Sequence, residues 1–567
     1  MQRRVAGNVR LAAAIAAFAA LGATTVAASD APRVLPSVKS RSTRLDTSRP
    51  AAVPDDATLE ASGARIGAIY FRPLQLFDIG GLDQDTSLFR LANRLHIRTR
   101  DATIGDQLLF HVGEPYNPST IAESARILRG TRYLRDASIR PIAYHDGVVD
   151  IEVTTQDVWT LNPGLSFGRH GGKNTAGFEL EELNFLGLGT QLGLGFKSGV
   201  DRDSKTVFYR DRQLGSSWWD LSATYSDNSD GRFADFSLER PFYSLETRRA
   251  GGVSVKDDLR VDSRYDLGKV VDKFETHAKQ ASAYWGFSNG LADDWARRYS
   301  VGATYDEQAF ADAPGANPAL LLPPDRKLVY PWIAAEWVQD RFATTVNRDQ
   351  IEKIEDYSLG WKLRAQLGYA NSSFGSDRNA VMLEGTAATG YELSERQSLN
   401  LSATASGRYE DSELANGLLS AEARYYFRQS QRRLFFMQLS GTAGTNLDVD
   451  EQILLGGDNG LRGYPLRYQA GTGRFFFTVE QRVYTNWFPF QLFNVGGAVF
   501  FDAGRTTGRD PLGSQSQGLL KDIGVGLRLG NSRSALGNVL HIDLAFPLDG
   551  DSSISSMQVI VETKRSF

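Results

Sequence analysis

From about residue 158 to the C-terminus, apolar and polar residues alternate along the chain. A representative apolar strand face comprises Tyr357, Leu359, Trp361, Leu363, Ala365, Leu367 and Tyr369. Polar or small residues stand between them, and the same alternation recurs at 219–226, 522–529 and 539–546. A period of two is the period of a β-strand with two different faces. The tract predicts a mainly β, antiparallel structure with about 20 strand candidates.

A soluble β-sandwich also alternates, with its apolar face inside. Here the alternation extends over roughly 400 residues without a helical segment, and Trp or Tyr often stands near strand ends, as in membrane barrels. A soluble all-β chain of this length would normally divide at Pro-rich joints. No later stretch approaches the 18 or so apolar residues of a membrane helix, so crossing a membrane requires a closed barrel. We therefore predict a transmembrane β-barrel over residues 158–567, located in a bacterial outer membrane.

The N-terminus has the pattern of a secretory signal. Three arginines precede or flank an apolar stretch over 11–21, and small residues follow up to Ala28. We predict a signal peptide over 1–28, because the apolar core is too short for the alternative, a retained anchor. Residues 29–63 are rich in Ala, Ser, Thr, Pro and Asp, which predicts a flexible periplasmic linker.

Residues 64–157 predict a small α+β domain. The predicted elements are a strand over 66–77, a helix over 86–95, a second helix from Thr120, and a hairpin of 137–144 and 148–154. Thr120 and Glu123 have the spacing of a capping box, and the turn between the last two strands is His145-Asp146-Gly147.

Composition excludes several function classes. The 567 residues carry a net charge of -4, so no basic surplus favours nucleic acid as a partner. Cys is absent, which excludes disulfides and thiolate metal sites. Six histidines are scattered without metal-ligand spacing, and His541 with Asp543 fits a polar lumen lining. We predict no enzyme activity, no catalytic residues, no metal site and no cofactor.

The motif Leu461-Arg462-Gly463-Tyr464 lies in a predicted loop before two strands that carry Glu480 and Asp502. Glu480 shares a strand face with Thr478 and Arg482, and a carboxylate facing lipid would cost a few kcal/mol, so it should face the lumen. A guanidinium can bind carboxylates through two parallel hydrogen bonds. We predict a loop pinned inside the barrel. The alternative is an arginine that stiffens a solvated surface loop.

Four segments carry a family resemblance: Gly456-Gly457 with Leu461–Tyr464, Thr478–Glu480, Val499–Gly504 and Asn184–Gly189. With them the barrel resembles the BamA/TamA outer-membrane assembly-factor superfamily, and residues 64–157 resemble a single POTRA domain. The resemblance implies a barrel of sixteen strands and an inward loop in which Arg462 contacts Glu480 and Asp502. The assembly factors carry several POTRA domains, so one domain implies a narrower client range or no accessory complex.

The function implied by the resemblance is insertion or translocation of other proteins. The POTRA domain, in the periplasm, would offer a sheet edge to a client segment. The barrel would open at a seam between its first strand, with Gly164 and Gly168, and its last strand, ending at Phe567. Glycine weakens strand interiors, although these glycines could equally be turn residues. Partners are then unfolded or secreted client proteins, outer-membrane lipid and periplasmic accessory proteins.

Two other functions remain open at this point. One is a dedicated exporter of a single secreted protein, as in two-partner secretion. That class usually carries a helix that plugs the pore, and residues 29–62 lack helical apolar spacing. The other is a receptor or diffusion channel.

Overall fold

The computed structural model describes only part of the chain. The described residues are 45, 47–76, 90, 93–94, 96–351, 354–489, 493–510, 512–513, 516–531, 539–550, 552 and 554–564. The predicted signal peptide, about half of the predicted linker, most of the predicted helix at 86–95, and Phe567 lie outside these residues.

The chain divides into two compact units. Unit 1 comprises Met1–Asp157, Asn184–Thr190 and Tyr209–Ala223. Unit 2 comprises Val158–Leu183, Gln191–Phe208 and Thr224–Phe567.

Unit 1 contains a three-stranded sheet with helices. Its described elements are α1 (Asp56–Ala61), β1 (Arg65–Leu74), α2 (Asp101–Gly105), α3 (Pro118–Arg129), β2 (Leu134–His145) and β3 (Val148–Asp157). The strand order is β1-β3-β2, with β1 parallel to β3 and β2 antiparallel to it. Asp146 and Gly147 join β2 to β3 with φ of 48° and 76°, which is the conformation of a tight hairpin turn. The small α+β domain predicted from the sequence is confirmed.

Helix α3 begins at Pro118, so the predicted start at Thr120 is wrong. The cap is Asn117, whose side chain accepts a hydrogen bond from the Thr120 N–H at 3.1 Å. Proline fits the first helical position because the missing N–H would have no helical partner there. The helix buries Ile121, Ala125 and Leu128 on one face, as their spacing predicts.

The end of the predicted flexible linker is ordered in unit 1. Asp55 caps α1 by accepting from the Thr58 N–H at 2.8 Å, and Leu59 of this helix is fully buried. Val53 belongs to the same hydrophobic core. The linker prediction is therefore wrong for this stretch. Its composition gave little apolar signal, and two side chains anchored in the core order it.

In unit 2, twenty strands of the described chain close into one antiparallel barrel. They are β4 (Leu161–His170), β5 (Lys173–Phe185), β6 (Thr190–Ser198), β7 (Asp203–Asp211), β8 (Asp220–Asn228), β9 (Gly231–Arg240), β10 (Arg249–Asp266), β11 (Lys269–Ala292), β12 (Trp295–Asp312), β13 (Arg326–Gln339), β16 (Lys362–Ala370), β17 (Ala380–Ser394), β18 (Gln397–Glu410), β19 (Glu413–Ser430), β20 (Arg433–Thr445), β23 (Gly473–Tyr484), β24 (Phe493–Thr507), β25 (Leu520–Asn531), β26 (Val539–Pro547) and β27 (Gln558–Lys564). Some strands at 158–228 contribute residues to unit 1.

The strand number predicted from alternation is confirmed, and the sixteen implied by the resemblance is wrong. The loop motif that carries the resemblance determines the structure of one loop and does not determine the number of strands in the barrel. Large apolar side chains are exposed on the outer wall, for example Trp285, Val301, Ile333 and Leu367, as lipid contact requires. Among the described residues, no helix is both long and apolar enough to cross a bilayer.

Four further strands form two ribbons inside connections of the barrel. They are β14 (Phe342–Val346) with β15 (Ile354–Ser358), and β21 (Ile453–Leu455) with β22 (Gln469–Gly471). Five wall strands separate the two connections, so these leave opposite ends of the antiparallel barrel. We call the end with residues 446–472 the loop rim and the end with 340–361 the hairpin rim.

The face from Tyr357 to Tyr369, predicted as one strand, is divided between two elements. The chain leaves β15 after Ser358 and enters the wall only at Lys362. The N–H groups of Leu359 and Gly360 both donate to the Arg341 carbonyl oxygen, at 2.8 and 3.0 Å. Alternation continues in phase across this bend, so the sequence pattern does not reveal it.

Replacing Leu59 by Ala should destabilise unit 1 by about 2–5 kcal/mol, because it leaves a cavity in a packed core. The check is urea-dependent proteolysis of unit 1 in the full-length protein. The matched control is Glu60→Ala, an exposed position on the same helix, which should change stability by less than about 0.5 kcal/mol. Equal stability of the two variants would mean that α1 does not contribute to the core.

Candidate functional site

The segment 446–472 connects β20 to β23 and folds into a compact inner loop. The Gly457 N–H donates to Pro465 O at 2.9 Å, and the Leu461 N–H donates to Gly456 O at 3.0 Å. Leu461 and Tyr464 are fully buried, together with Leu455 and Tyr468 of one hydrophobic cluster. The motif therefore lies inside the barrel rather than on a solvated surface.

Arg462 binds both carboxylates named from the sequence. Its Nε and Nη2 donate to the two oxygens of Asp502 at 2.7 and 2.8 Å, and its Nη1 donates to Glu480 Oε1 at 2.8 Å. The guanidinium carbon lies 3.4 Å from the centre of the Phe500 ring. Burial disfavours the charge, but the carboxylates of Asp502, Glu480 and Asp543 together outweigh this and raise the pKa of Arg462 above its ordinary value.

Two further side chains on the wall complete the arginine's partners. Arg462 Nη2 donates to Thr478 Oγ1 at 3.2 Å, and Nη1 reaches Asp543 Oδ2 at 3.4 Å. The sequence interpretation gave neither of them this role. Their positions in the alternation could have indicated it, because both residues lie on polar strand faces that must point into the lumen.

Two more arginines extend this site along the wall. Arg482 Nε donates to Glu480 Oε2 at 2.8 Å, and Arg528 hydrogen-bonds with Asp543. Cations and anions therefore alternate, and each of these carboxylates contacts at least two arginines when Arg462 is docked. A buried network of this kind is stable only when every member has its partners.

Glycine is required at position 463 because the backbone of the loop lies very close to the barrel wall. A Cβ atom at this position would lie 2.6 Å from Asp522 Cβ and 3.1 Å from Pro547 N. Those atoms are backbone or the base of a side chain and cannot rotate away. Any other residue would therefore push the loop off strands β25 and β26 and pull Arg462 from its carboxylates.

Tyr464 fastens the same loop through its hydroxyl. The hydroxyl donates to Lys521 O at 2.8 Å and accepts from the Asp549 N–H at 3.3 Å. Burial raises the pKa of Tyr464 to about 12. The tyrosine thus joins the loop to β25 and to the connection that precedes β27.

Ion pairs also hold the two ends of the loop. Near its start, Arg408 binds Asp448 through two hydrogen bonds of 2.7 and 2.6 Å. Near its end, Arg467 binds Asp201 through two hydrogen bonds of 2.8 and 2.6 Å. The loop is held at its start, its middle and its end by bidentate arginines.

The seam between β4 and β27 is weakly paired over the residues that the structure describes. Within the described residues, one residue pair, Val561 with Arg169, joins the two strands, whereas β26 and β27 pair continuously from Val539 with Lys564 to Ala545 with Gln558. Residues 565–567 lie outside the described chain, including the predicted seam residue Phe567.

The glycines near the seam fall into two groups. Gly164 and Gly168 lie within β4, so the turn alternative is wrong for them, whereas Gly171 and Gly172 form the β4–β5 turn with φ of 49° and 82°. A Cβ atom at Gly168 would lie 3.3 Å from Val561 O across the seam.

The inner loop packs against the turn beside this seam. A Cβ atom at Gly171 would lie 2.3 Å from Leu466 N, and one at Gly457 would lie 3.2 Å from Gly171 N. Together with Tyr464, these contacts place the loop against elements on both sides of the seam. Nothing in the described residues forms a cluster of three or more His, Asp or Glu side chains suited to a metal ion.

Replacing Arg462 by Ala should destabilise the barrel by about 3–5 kcal/mol, because Asp502 and Glu480 remain buried without their shared cation. Arg462→Lys should give an intermediate loss, since lysine keeps the charge but not the paired hydrogen bonds. The measurement is urea unfolding of the barrel in liposomes. Arg364→Ala is the control, because Arg364 hydrogen-bonds Gln366 of its own strand and should contribute less than about 1 kcal/mol. Wild-type stability of Arg462→Ala would contradict the interpretation.

Comparisons with known proteins bear on this barrel. The Omp85 superfamily domain matches residues 336–555. Among solved structures, BamA from Haemophilus ducreyi lacking POTRA domains 1-3 is 14% identical with a TM-score of 0.38, and the alignment covers 89% of this chain and 85% of that one. CdiB from Acinetobacter baumannii is 14% identical with a TM-score of 0.46, covering 89% and 74%.

CdiB from Escherichia coli is 13% identical with a TM-score of 0.46, covering 89% of this chain and 77% of that one. No curated protein sequence matches the chain. The sequence match over 336–555 includes Arg462, Glu480 and Asp502, the centre of the site. Residues 336–555 therefore match an Omp85 superfamily domain, and the predicted resemblance to the BamA/TamA superfamily is confirmed.

Proposed function

We propose that this protein inserts or translocates other proteins at the outer membrane. The observation that carries the proposal is the loop of residues 446–472, held inside the lumen by buried arginines and packed beside a weakly paired seam. A diffusion channel needs an unobstructed lumen, and this barrel places a fixed loop there. The loop and the seam together fit a barrel that opens for a client and closes after it.

Unit 1 would act as the POTRA domain and receive clients in the periplasm. Strand β2 stands at one edge of its sheet, with β3 on its other side. An extended client segment could add to that edge through main-chain hydrogen bonds, which form whatever the side chains of the client are. Such binding suits clients that are still unfolded.

Release of the loop and opening of the seam would be mechanically linked. On one side the loop contacts the β4–β5 turn through Gly171, and on the other it contacts Asp549 through Tyr464. Strand β27 lies between these contacts in the barrel order. A loop that withdrew would free both flanks of the seam, where one pair joins the described residues of the two strands.

Depletion of the protein, followed by outer-membrane proteomics, tests this function. Loss of many unrelated barrels identifies an assembly factor, whereas loss of one secreted protein identifies a dedicated exporter. Re-expression of Arg462→Ala should fail to restore the missing proteins, and Arg364→Ala should restore them. An unchanged outer-membrane proteome would contradict both functions.

A disulfide across the seam tests the opening step. Arg169→Cys with Val561→Cys joins directly paired positions, and the cysteine-free chain provides no competing thiol. Oxidation should stop client assembly and reductant should restore it. The control is Val381→Cys with Tyr409→Cys, a directly paired position between the fully zipped strands β17 and β18, which should have no effect. If the oxidised seam variant works as well as its control, the seam does not open.

A further inference from the structure

The connection between β13 and β16 enters the lumen instead of turning back at the hairpin rim. Residues 342–346 and 354–358 form the β14–β15 ribbon, and both of its ends leave the wall side by side. The Leu359 N–H donates to Arg341 O at 2.8 Å, which closes the base of the ribbon. A connection of this length is not needed to join two neighbouring strands, since two residues suffice elsewhere in this barrel.

The tip of this hairpin crosses the lumen. Ile351, at the tip, is buried in a hydrophobic cluster with side chains of five wall strands. Those side chains are Tyr426, Leu434, Phe436, Tyr484, Ala498 and Val539. The strand of Val539, β26, is eight strands around the barrel from β16. Asn494 also donates its Nδ2 to the carbonyl oxygen of Ile351, at 3.4 Å.

Polar contacts also hold the residues next to Ile351 in place. Glu355 accepts the N–H groups of Arg348 and Asp349 at 2.9 and 3.0 Å, which orders the turn. The Arg348 guanidinium stacks 4.0 Å from the Tyr426 ring centre and donates to Asn400 Oδ1 at 2.7 Å. Arg348 is only 5% exposed, so the hairpin docks with a buried charge rather than resting loosely in the pore.

One wall arginine joins this hairpin to the Arg462 loop. Arg482 Nη1 donates to the Arg348 carbonyl oxygen at 3.1 Å, and its Nε donates to Glu480 Oε2 at 2.8 Å. The other oxygen of Glu480 accepts from Arg462 at 2.8 Å. A cavity of about 530 Å³ lies between the two inserted segments, lined by Asp349 on one side and by Arg462 on the other.

We propose that residues 342–351 and 354–358 belong to a second plug, inserted from the hairpin rim and coupled to the Arg462 loop through Arg482 and Glu480. Each inserted segment supplies part of the charge or hydrogen bonding that holds this pair of wall residues. Withdrawal of one segment therefore weakens the docking of the other, and the pore opens fully only when both have left the lumen. This double closure is a property of the pore itself, whichever client the protein serves.

A disulfide that locks the hairpin tests the plug. A Cβ atom at Gly530 would lie 3.2 Å from Ile351 Cβ, within a few tenths of an ångström of the spacing of about 3.5–4.5 Å in disulfides. Ile351→Cys with Gly530→Cys, in the cysteine-free full-length protein, should form this bond on oxidation. In planar bilayers the reduced protein should show large transient openings, and oxidation should remove them. Openings of the same size and frequency in both states would overturn the proposal.

Removal of the hairpin provides an independent test. Two glycines in place of 342–358 would bridge Arg341 and Leu359, whose backbones already meet, and leave the paired wall strands intact. We expect single-channel conductance to rise several-fold. Retained heat-modifiable migration on gels would show that the barrel still folds. A folded variant with wild-type conductance would overturn the plug.

The coupling through Arg482 has its own measurement. Arg482→Ala should raise the opening frequency of the full-length protein and have a much smaller effect once 342–358 are removed. Arg364→Ala, a lumenal arginine that hydrogen-bonds within its own strand, should leave the frequency unchanged in both backgrounds. An equal effect of Arg482→Ala with and without the hairpin would overturn the coupling. Conductance needs no client, so these results stand or fall separately from the proposed function.

Discussion

The pairing of Arg462 with Asp502 and Glu480 is the interaction on which the rest of the barrel interior depends. Carboxylates removed from water are costly, and they are tolerated when a cation with matching geometry neutralises them. Here three wall strands present Glu480, Asp502 and Asp543 toward one point, and the loop delivers the guanidinium that serves all three. The wall is thus built for an occupied lumen. The docked guanidinium of Arg462 is therefore a condition of the stability of this wall.

This interaction could be predicted because phase along a strand is a local property. Glu480 and Asp502 stand opposite lipid-facing residues, so the direction of each carboxylate follows from the alternation alone. The number of strands follows from counting such segments, and twenty is what the barrel has. The family resemblance implied sixteen strands, and the loop motif that carries the resemblance does not determine how many hairpins precede it.

Other features depend on tertiary contacts that no local pattern contains. Leu59 looked like an isolated apolar residue in a polar linker, and only the core of unit 1 gives it a role. Alternation continues in phase through the bend between Ser358 and Lys362. The sequence therefore predicted one strand where the structure has two, one in the inserted hairpin and one in the barrel wall. Thr120 and Asn117 both suit a helix cap, and Pro118 decided between them because it fits the first helical position.

The lengths of β10, β11 and β12 have a consequence for access to the loop rim. The longest, β11, has 24 residues, which corresponds to about 80 Å of strand. At a tilt of roughly 40° this spans about 60 Å, twice the hydrocarbon thickness of about 30 Å. Gly268, in the turn between β10 and β11, packs on Leu466, so the excess length rises at the loop rim. This part of the wall projects beyond the bilayer into water, and a macromolecule approaching the loop rim from that side meets it before it can touch either the bilayer or the loop of residues 446–472.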